Sequence, residues 1–345
     1  MDPFSAPADA SVVRVTLSGV RSVTHLVYAA SYVRHLLDHT HVPVEVGVLD
    51  SGAGRVGTAV TPTLVRESLP VDERLEVTTG VGADHFDVVR GRYRVLLSIG
   101  APGVRAWTRM VRAGRGRRPH VVVVDEGIGS YGNAATRRAA YQREGGRTWW
   151  PWVRAGVVAT GHRVLTDVHW SLYRETHGAW VVVPEVADEF RRRVPHVTDL
   201  PGPGPAGAVY LSQPWPELGI MSASAYVEHL QSVREACAQA GLHLSVRPHP
   251  AEDAARYAAF DVAPTAGPAE LDPAVVGAAV VIGSNSTALL NLAAVHGVRA
   301  VRVTAPDFAG LEAALAPRQR SLLDTFLAPA VSVDRLGERL GERLA

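Results

Sequence analysis

Three short stretches of the sequence carry residue types and spacings that could do chemistry together. The first is Asp125-Glu126-Gly127-Ile128-Gly129-Ser130, directly after a four-valine run. The carboxyl ends of strands in open α/β sheets face ligand crevices, and a carboxylate there can take a proton from an attacking hydroxyl. Adjacent acids point in different directions, so one can enter the crevice while the other supports it. The glycines let a hydroxyl approach closely. The second stretch is Arg247-Pro248-His249-Pro250, whose prolines stiffen the loop and fix where His249 points. A cation beside an imidazole suits a phosphate leaving group: Arg247 offsets charge and His249 donates a hydrogen bond or a proton. The third is Gly283-Ser284-Asn285-Ser286-Thr287, before an apolar helical pattern. Hydroxyls and free N–H groups at a helix start make an anion site. Between the second and third lies Glu270, an acid able to accept from ribose hydroxyls.

Each stretch has an ordinary rival reading: a strand-end turn, one of 14 histidines, a plain N-cap, a solvated loop acid. Two other features compete for attention. Gly52-Ala53-Gly54-Arg55-Val56-Gly57 matches G-x-G-x-x-G, which alone would suggest a nicotinamide or flavin enzyme. It follows the second strand rather than the first, and Thr61-Pro62 interrupts the helix that should follow, so it is read as a glycine-rich loop. Trp149-Trp150-Pro151-Trp152 could stack on sugars or sit at a membrane surface, with packing under a loop the preferred reading.

The elements that must position these residues alternate between strand and helix. Strands are expected at 12–17, 44–49, 94–99, 121–124, 164–166 and 180–183, with helices at 20–37, from 104, and at 134–143. Residues 200–207 hold three prolines and three glycines and read as a linker. The alternation then restarts: strands at 208–211, 243–246, the end of 275–282 and 301–303, and helices at 288–296 and 336–344. A further helix stripe runs Tyr226, Leu230, Val233, Cys237 and ends at Gly241. The organisation expected is a Rossmann-like domain over residues 1–200, a linker at 201–207 and a second Rossmann-like domain over 208–345, facing each other across a ligand cleft.

Composition limits the alternatives. The chain has 345 residues and 47% hydrophobic content, enough for two cores. A net charge of +1 gives no field favouring nucleic acid. All 35 basic side chains are arginine. The single cysteine, Cys237, excludes an intrachain disulfide and makes a cysteine-based metal site unexpected. The start lacks a signal-peptide pattern and no apolar run reaches the length of a membrane span, so a cytoplasmic location is expected, with peripheral membrane contact open.

The ordered set of motifs resembles the bacterial sialyltransferase and polysialyltransferase families with the two-domain GT-B fold. Those families carry an acidic-acidic-Gly motif, then His-Pro, then Ser-Ser/Thr, which look like Asp125-Glu126-Gly127, His249-Pro250 and Ser286-Thr287. The segment Val209-Tyr210-Leu211-Ser212-Gln213-Pro214 is similar to the strand and Gln-Pro turn opening the family's nucleotide domain. The resemblance is best over about residues 208–303, with the acidic motif a separate match. Where the family often has Lys, two residues before the His, this chain has Arg247.

The resemblance implies an inverting transferase with a CMP-activated sialic acid, or a related nonulosonic acid, as donor and a glycan or small molecule as acceptor. No metal or other cofactor would be needed. It makes Asp125 the general base and His249 the group assisting departure of phosphate. Ser284, Ser286, Thr287 and Gln213 would line the nucleotide site and Glu270 would bind ribose, with Glu126, Gly127, Arg247 and Pro250 in support. The alternatives are another GT-B nucleotide-sugar transferase and a non-catalytic nucleotide- or glycan-binding relative.

Overall fold

The computed structural model describes residues 10–49, 60–82, 86, 91–143, 149–194, 207–264 and 267–342. The G-x-G-x-x-G match and residues 201–206 of the expected linker lie outside these. The chain divides into two compact units, Met1–Ser130 with Arg137–Glu189, and Tyr131–Thr136 with Phe190–Ala345.

The first unit contains strands β1 (Val12–Ser18), β2 (Val44–Val48), β3 (Leu75–Thr79), β4 (Arg92–Ile99), β5 (His120–Val124) and β6 (Val168–Trp170). They form one parallel sheet in the order β3-β2-β1-β4-β5-β6. A hairpin of β7 (Tyr173–Thr176) and β8 (Ala179–Val182) follows, turned through His177 and Gly178, both at positive φ. The helices of this half are α1 (Val23–His39), α2 (Pro62–Ser68), α3 (Val104–Ala113), α4 (Ala134–Arg143), α5 (Trp150–Leu165) and α6 (Pro184–Arg192). Strand β5 ends in a continuous run of four buried valines, while β1 and β4 bury Arg14, Thr16, Arg94 and Ser98 beside their apolar residues, as in a doubly wound sheet covered on both faces.

The second unit repeats the plan. Strands β9 (Gly207–Leu211), β10 (His243–Arg247), β11 (Asp261–Val262), β12 (Val280–Gly283), β13 (Ala300–Thr304) and β14 (Val331–Ser332) run parallel in the order β11-β10-β9-β12-β13-β14. Its helices are α7 (Ala223–Gln239), α8 (Pro273–Val276), α9 (Thr287–His296), α10 (Ala309–Ala313), α11 (Pro317–Phe326) and α12 (Leu336–Gly341). Renumbered within each unit, both sheets read 3-2-1-4-5-6, the doubly wound order in which chain direction reverses between the first and fourth strands.

The α7 stripe is as expected: Tyr226, Leu230, Val233 and Cys237 are all buried in the core of the second unit. Burial pushes the Cys237 thiol up to about 12, so it is an inert core group. Gly207, assigned to the linker from sequence, is the first residue of β9.

Two expectations are corrected. Residues 164–166 are not a strand: Val164 and Leu165 are the end of α5, and Thr166 caps it. A short apolar run has no periodicity of its own, and the helix entered through Trp150-Pro151 carries through it. The tryptophans are not packed under a loop. They stand at the start of α5 with Trp149 51%, Trp150 49% and Trp152 60% exposed.

Candidate functional site

In the second unit the candidate residues gather at one edge of the sheet. Arg247, Leu211 and Gly283, the last residues of β10, β9 and β12, are register partners across three adjacent strands. The loops that follow, bearing His249, Gln213 and Ser284–Thr287, therefore leave the sheet side by side. Strands β9 and β12 flank the reversal point, where doubly wound sheets bind ligands beyond their carboxyl ends. Neighbouring strands lie about 4.8 Å apart, so β10 and β12 stand about 10 Å apart across β9.

The His249 loop is held by a residue that the sequence reading passed over. Glu252 has a fully buried side chain. Its Oε2 accepts the backbone N–H of His249 at 2.6 Å and the hydroxyl of Ser212, while Oε1 accepts the Tyr257 hydroxyl at 2.7 Å. The Glu252 N–H donates back to the His249 carbonyl at 2.9 Å, closing the turn from both ends. The signal was present as an acid three residues past His249, the reciprocal spacing of a capping box.

The ring of His249 is oriented as well. The Ala251 N–H donates to its Nδ1 at 3.2 Å. A neutral ring with Nδ1 accepting carries its proton on Nε2, which becomes a fixed donor. Burial lowers the His249 pKa below its ordinary value, opposed by Glu252 and Glu217. The lowered pKa favours the neutral ring, in which Nε2–H is available as a hydrogen-bond donor. Pro248 is buried and Pro250 exposed, so the loop is anchored on one side of the histidine.

Arg247 serves a different purpose from the phosphate counter-charge expected of it. Its guanidinium is 5% exposed and committed to the Pro264 carbonyl at 2.7 Å, the Gly267 carbonyl at 2.6 Å and the Asp272 carboxylate. Residue 247 is the last of a strand whose arginine side chain points into the unit, so it braces the connection running to Asp272. That connection contains Glu270, 4% exposed in a short 3-10 turn, Ala269–Leu271, whose backbone bonds the ring of His296.

At the start of α9, Ser284 and Ser286 are each 7% exposed, and Ser286 occupies the N-cap without a side-chain capping bond. The Ser284 hydroxyl and the Asn285 side-chain amide oxygen, Oδ1, are buried and hydrogen-bond to nothing among the described residues. Buried polar atoms are nearly always satisfied, so this pair points to a missing partner. Thr287 is the first residue of this ten-residue helix, whose leading N–H groups and dipole favour an anion. The Gln213 backbone N–H donates to Tyr226 Oη at 3.0 Å, fixing the turn after β9.

In the first unit, Asp125 follows β5 directly and is 7% exposed. Its Oδ2 accepts the Leu172 N–H at 3.1 Å, just past the end of β6, which fixes the carboxylate plane. Glu126 is the exposed member of the pair, with its side chain 50% exposed and Arg21 at 4.0 Å. Its N–H donates to the Ser130 hydroxyl at 2.8 Å. Gly127 has φ +100, which disfavours any side chain. Gly100, after β4, lies under the Glu126 carboxylate, where a Cβ would collide with it. His162 of α5 donates from Nε2 to the Gly100 carbonyl at 3.2 Å, and burial, Arg137 and His169 hold its pKa at about 4. Arg21 and His162 were not singled out from sequence, since each comes to the acidic motif only through the packing of α1 and α5.

Among the described residues no group of three His, Cys, Asp or Glu could hold a metal ion. No described helix is long and apolar enough to cross a membrane.

The sequence matches no protein-family model. No curated protein matches it either. Solved structures do resemble it in fold. An alpha/beta-galactoside alpha-2,3-sialyltransferase from the luminous marine bacterium Photobacterium phosphoreum is 9% identical, with 94% of this chain and 99% of that chain covered and a TM-score of 0.52. A UGT transferase from Siraitia grosvenorii with UDP is 10% identical over 96% and 91% of the two chains, TM-score 0.49. The E. coli heptosyltransferase WaaC with ADP is 12% identical over 92% of each, TM-score 0.39.

The first of these likenesses, together with the two parallel six-stranded sheets, defines the class: the chain has the GT-B fold.

Proposed function

We propose that this chain is an inverting glycosyltransferase that takes a sialic acid or related nonulosonic acid from a CMP-activated donor and needs no metal. The observation that carries the reading is the strand-end cluster of the second unit. There a fixed Nε2–H donor, from His249, and an unsatisfied buried hydroxyl, from Ser284, leave register-aligned strands beside a helix N-terminus. Such a set suits the phosphate of a nucleoside monophosphate leaving group. The fold likeness to a sialyltransferase is consistent with it.

In this reading the bond from the donor's anomeric carbon to phosphate oxygen breaks, and its electron pair leaves with CMP. His249 Nε2–H, the Ser284 and Ser286 hydroxyls and the first N–H groups of α9 stabilise that charge; Thr287 and Glu270 complete the nucleotide site. Asp125 takes the proton of the acceptor hydroxyl as its oxygen bonds to the anomeric carbon. Because Arg247 is spent on the Asp272 connection, the phosphate is held by neutral donors and a helix dipole rather than by this guanidinium.

The test is CMP release from CMP-sialic acid, with and without candidate acceptors, by the wild type, Asp125→Asn and Glu126→Gln. Asp125→Asn should lose about 10²–10⁴ in rate, and Glu126→Gln much less. Equal rates for wild type and Asp125→Asn overturn the base assignment. Thermal stabilisation by UDP or GDP but not by CMP overturns the donor. Binding of CMP with no turnover of any donor makes the chain a binding protein.

A further inference from the structure

Helix α5 carries apolar residues on more than one side, among Arg154, Thr160, His162 and Arg163, yet only one side of it is buried. Pro151, Ala155 and Gly161 are buried against the first unit, with Gly161 close to Pro102. On the outer side Trp150, Val153 and Val157 follow one another at three- and four-residue spacing, and Val164 lies a further seven residues on, past the exposed Thr160; these four apolar side chains are 43–60% exposed. At 1.5 Å per residue that stripe runs about 20 Å. A helix apolar on both sides is ordinarily buried on both, so the outer face calls for a partner.

The charges around the stripe indicate which. Neither α4 nor α5 contains an acidic residue. Arg154 and Arg163 come from α5 and Arg138 from α4. The helices are tied together by two stacked pairs: the Arg138 guanidinium lies 3.7 Å from the centre of the Trp152 ring, and that of Arg154 lies 3.9 Å from Tyr141. Tryptophans at one end, an aliphatic stripe along the axis and arginines at its margins are what an interfacial helix presents to lipid. The rings sit at headgroup depth, the stripe enters the acyl boundary and the cations meet lipid phosphates.

We propose that α5, with α4 beside it, docks the protein on an anionic lipid bilayer surface without crossing it. A second copy of this chain would also cover an apolar stripe, but it would bring the same arginines to the contact, like charge against like. An anionic surface complements them.

The test is co-sedimentation of the full chain with vesicles of phosphatidylcholine and with vesicles containing phosphatidylglycerol, alongside quenching of tryptophan fluorescence by brominated lipid. Anionic vesicles should bind about tenfold or more tightly than neutral ones, with quenching, and raised salt should weaken the binding. Val157→Asp should reduce binding about tenfold, and Arg163→Gln about fivefold, with thermal unfolding unchanged because both side chains are exposed. The same charge change at Val71, fully exposed and part of neither α4 nor α5, should leave binding intact. Equal binding to both vesicle types, or none to anionic ones, overturns the proposal. So does a dimer in solution that Val157→Asp dissociates in the absence of vesicle binding, which would make a second copy the partner.

Discussion

The carboxylate of Glu252 accepts the backbone N–H of His249 at 2.6 Å, and the Glu252 N–H returns the bond to the His249 carbonyl at 2.9 Å. This pair turns a flexible strand-end loop into a rigid mount for one imidazole. Replacing Glu252 with Ala leaves the Tyr257 and Ser212 hydroxyls without their carboxylate acceptor and the His249 N–H with Ser212 Oγ alone, at 2.9 Å. Such losses cost about 1–3 kcal/mol for each group, so urea unfolding should show a deficit of that order. Turnover should fall further in Glu252→Ala than in Tyr257→Phe, which spares the His249 contact.

Ser284→Ala separates binding from stability. Its hydroxyl has no hydrogen-bond partner among the described residues, so removing it should not lower the thermal midpoint of the free protein. Affinity for CMP should fall about fivefold, the value of one net hydrogen bond, as measured by calorimetry. A loss of stability with unchanged affinity would refute the phosphate site.

Arg247 and Asp272 should behave as a coupled structural pair. Removing either alone breaks the ion pair but leaves Arg247 its Pro264 and Gly267 carbonyls and Asp272 its partly exposed capping bond to the Ala274 N–H, so each should cost about 1–3 kcal/mol. The double substitution Arg247→Met with Asp272→Ala should cost clearly less than the sum, with a coupling of about 1–3 kcal/mol in a double-mutant cycle. Additive losses would show that the guanidinium is not held by this carboxylate.

Gly100→Ala tests the support beneath the acidic motif. The position has φ +70, and an added Cβ meets the Glu126 carboxylate. The variant should lose about 1–2 kcal/mol of stability from backbone strain together with the collision. Adding Glu126→Ala should recover the part due to collision and leave the part due to strain. Full recovery would mean that the backbone conformation costs nothing there.

Acid should destabilise both units. Burial holds His25 and His229 at about 4, against 6.5 for a free imidazole. Between those values the unfolded chain binds protons that the folded chain refuses, so stability is full above 6.5 and falls as pH drops towards 4. Each group contributes roughly 1.4 kcal/mol per pH unit in that window. Urea midpoints should therefore drop between pH 7 and pH 5, and His25→Gln or His229→Gln should flatten the dependence.

Much of the plan was legible in the chain itself. Four valines in succession at 121–124 can only be buried on both faces, which dictated a parallel sheet and put Asp125 at its carboxyl edge. The apolar spacing of Tyr226, Leu230, Val233 and Cys237 defined α7 because a helix face is a local property of 3.6-residue periodicity. Pro248 and Pro250 marked out His249 by backbone restriction alone. What periodicity could not decide was α5 itself: its end was expected as a strand, and only the packing of Pro151, Ala155 and Gly161 shows which of its sides is covered. Nor could it decide the partner of a charge. Arg247 looks like a phosphate ligand in one dimension, and only the return of the chain to Gly267 and Asp272 gives its guanidinium nearer acceptors. Local sequence determines elements and their faces; the ends to which charged and apolar side chains are put depend on segments far apart in the chain, which only tertiary folding brings within a few ångströms.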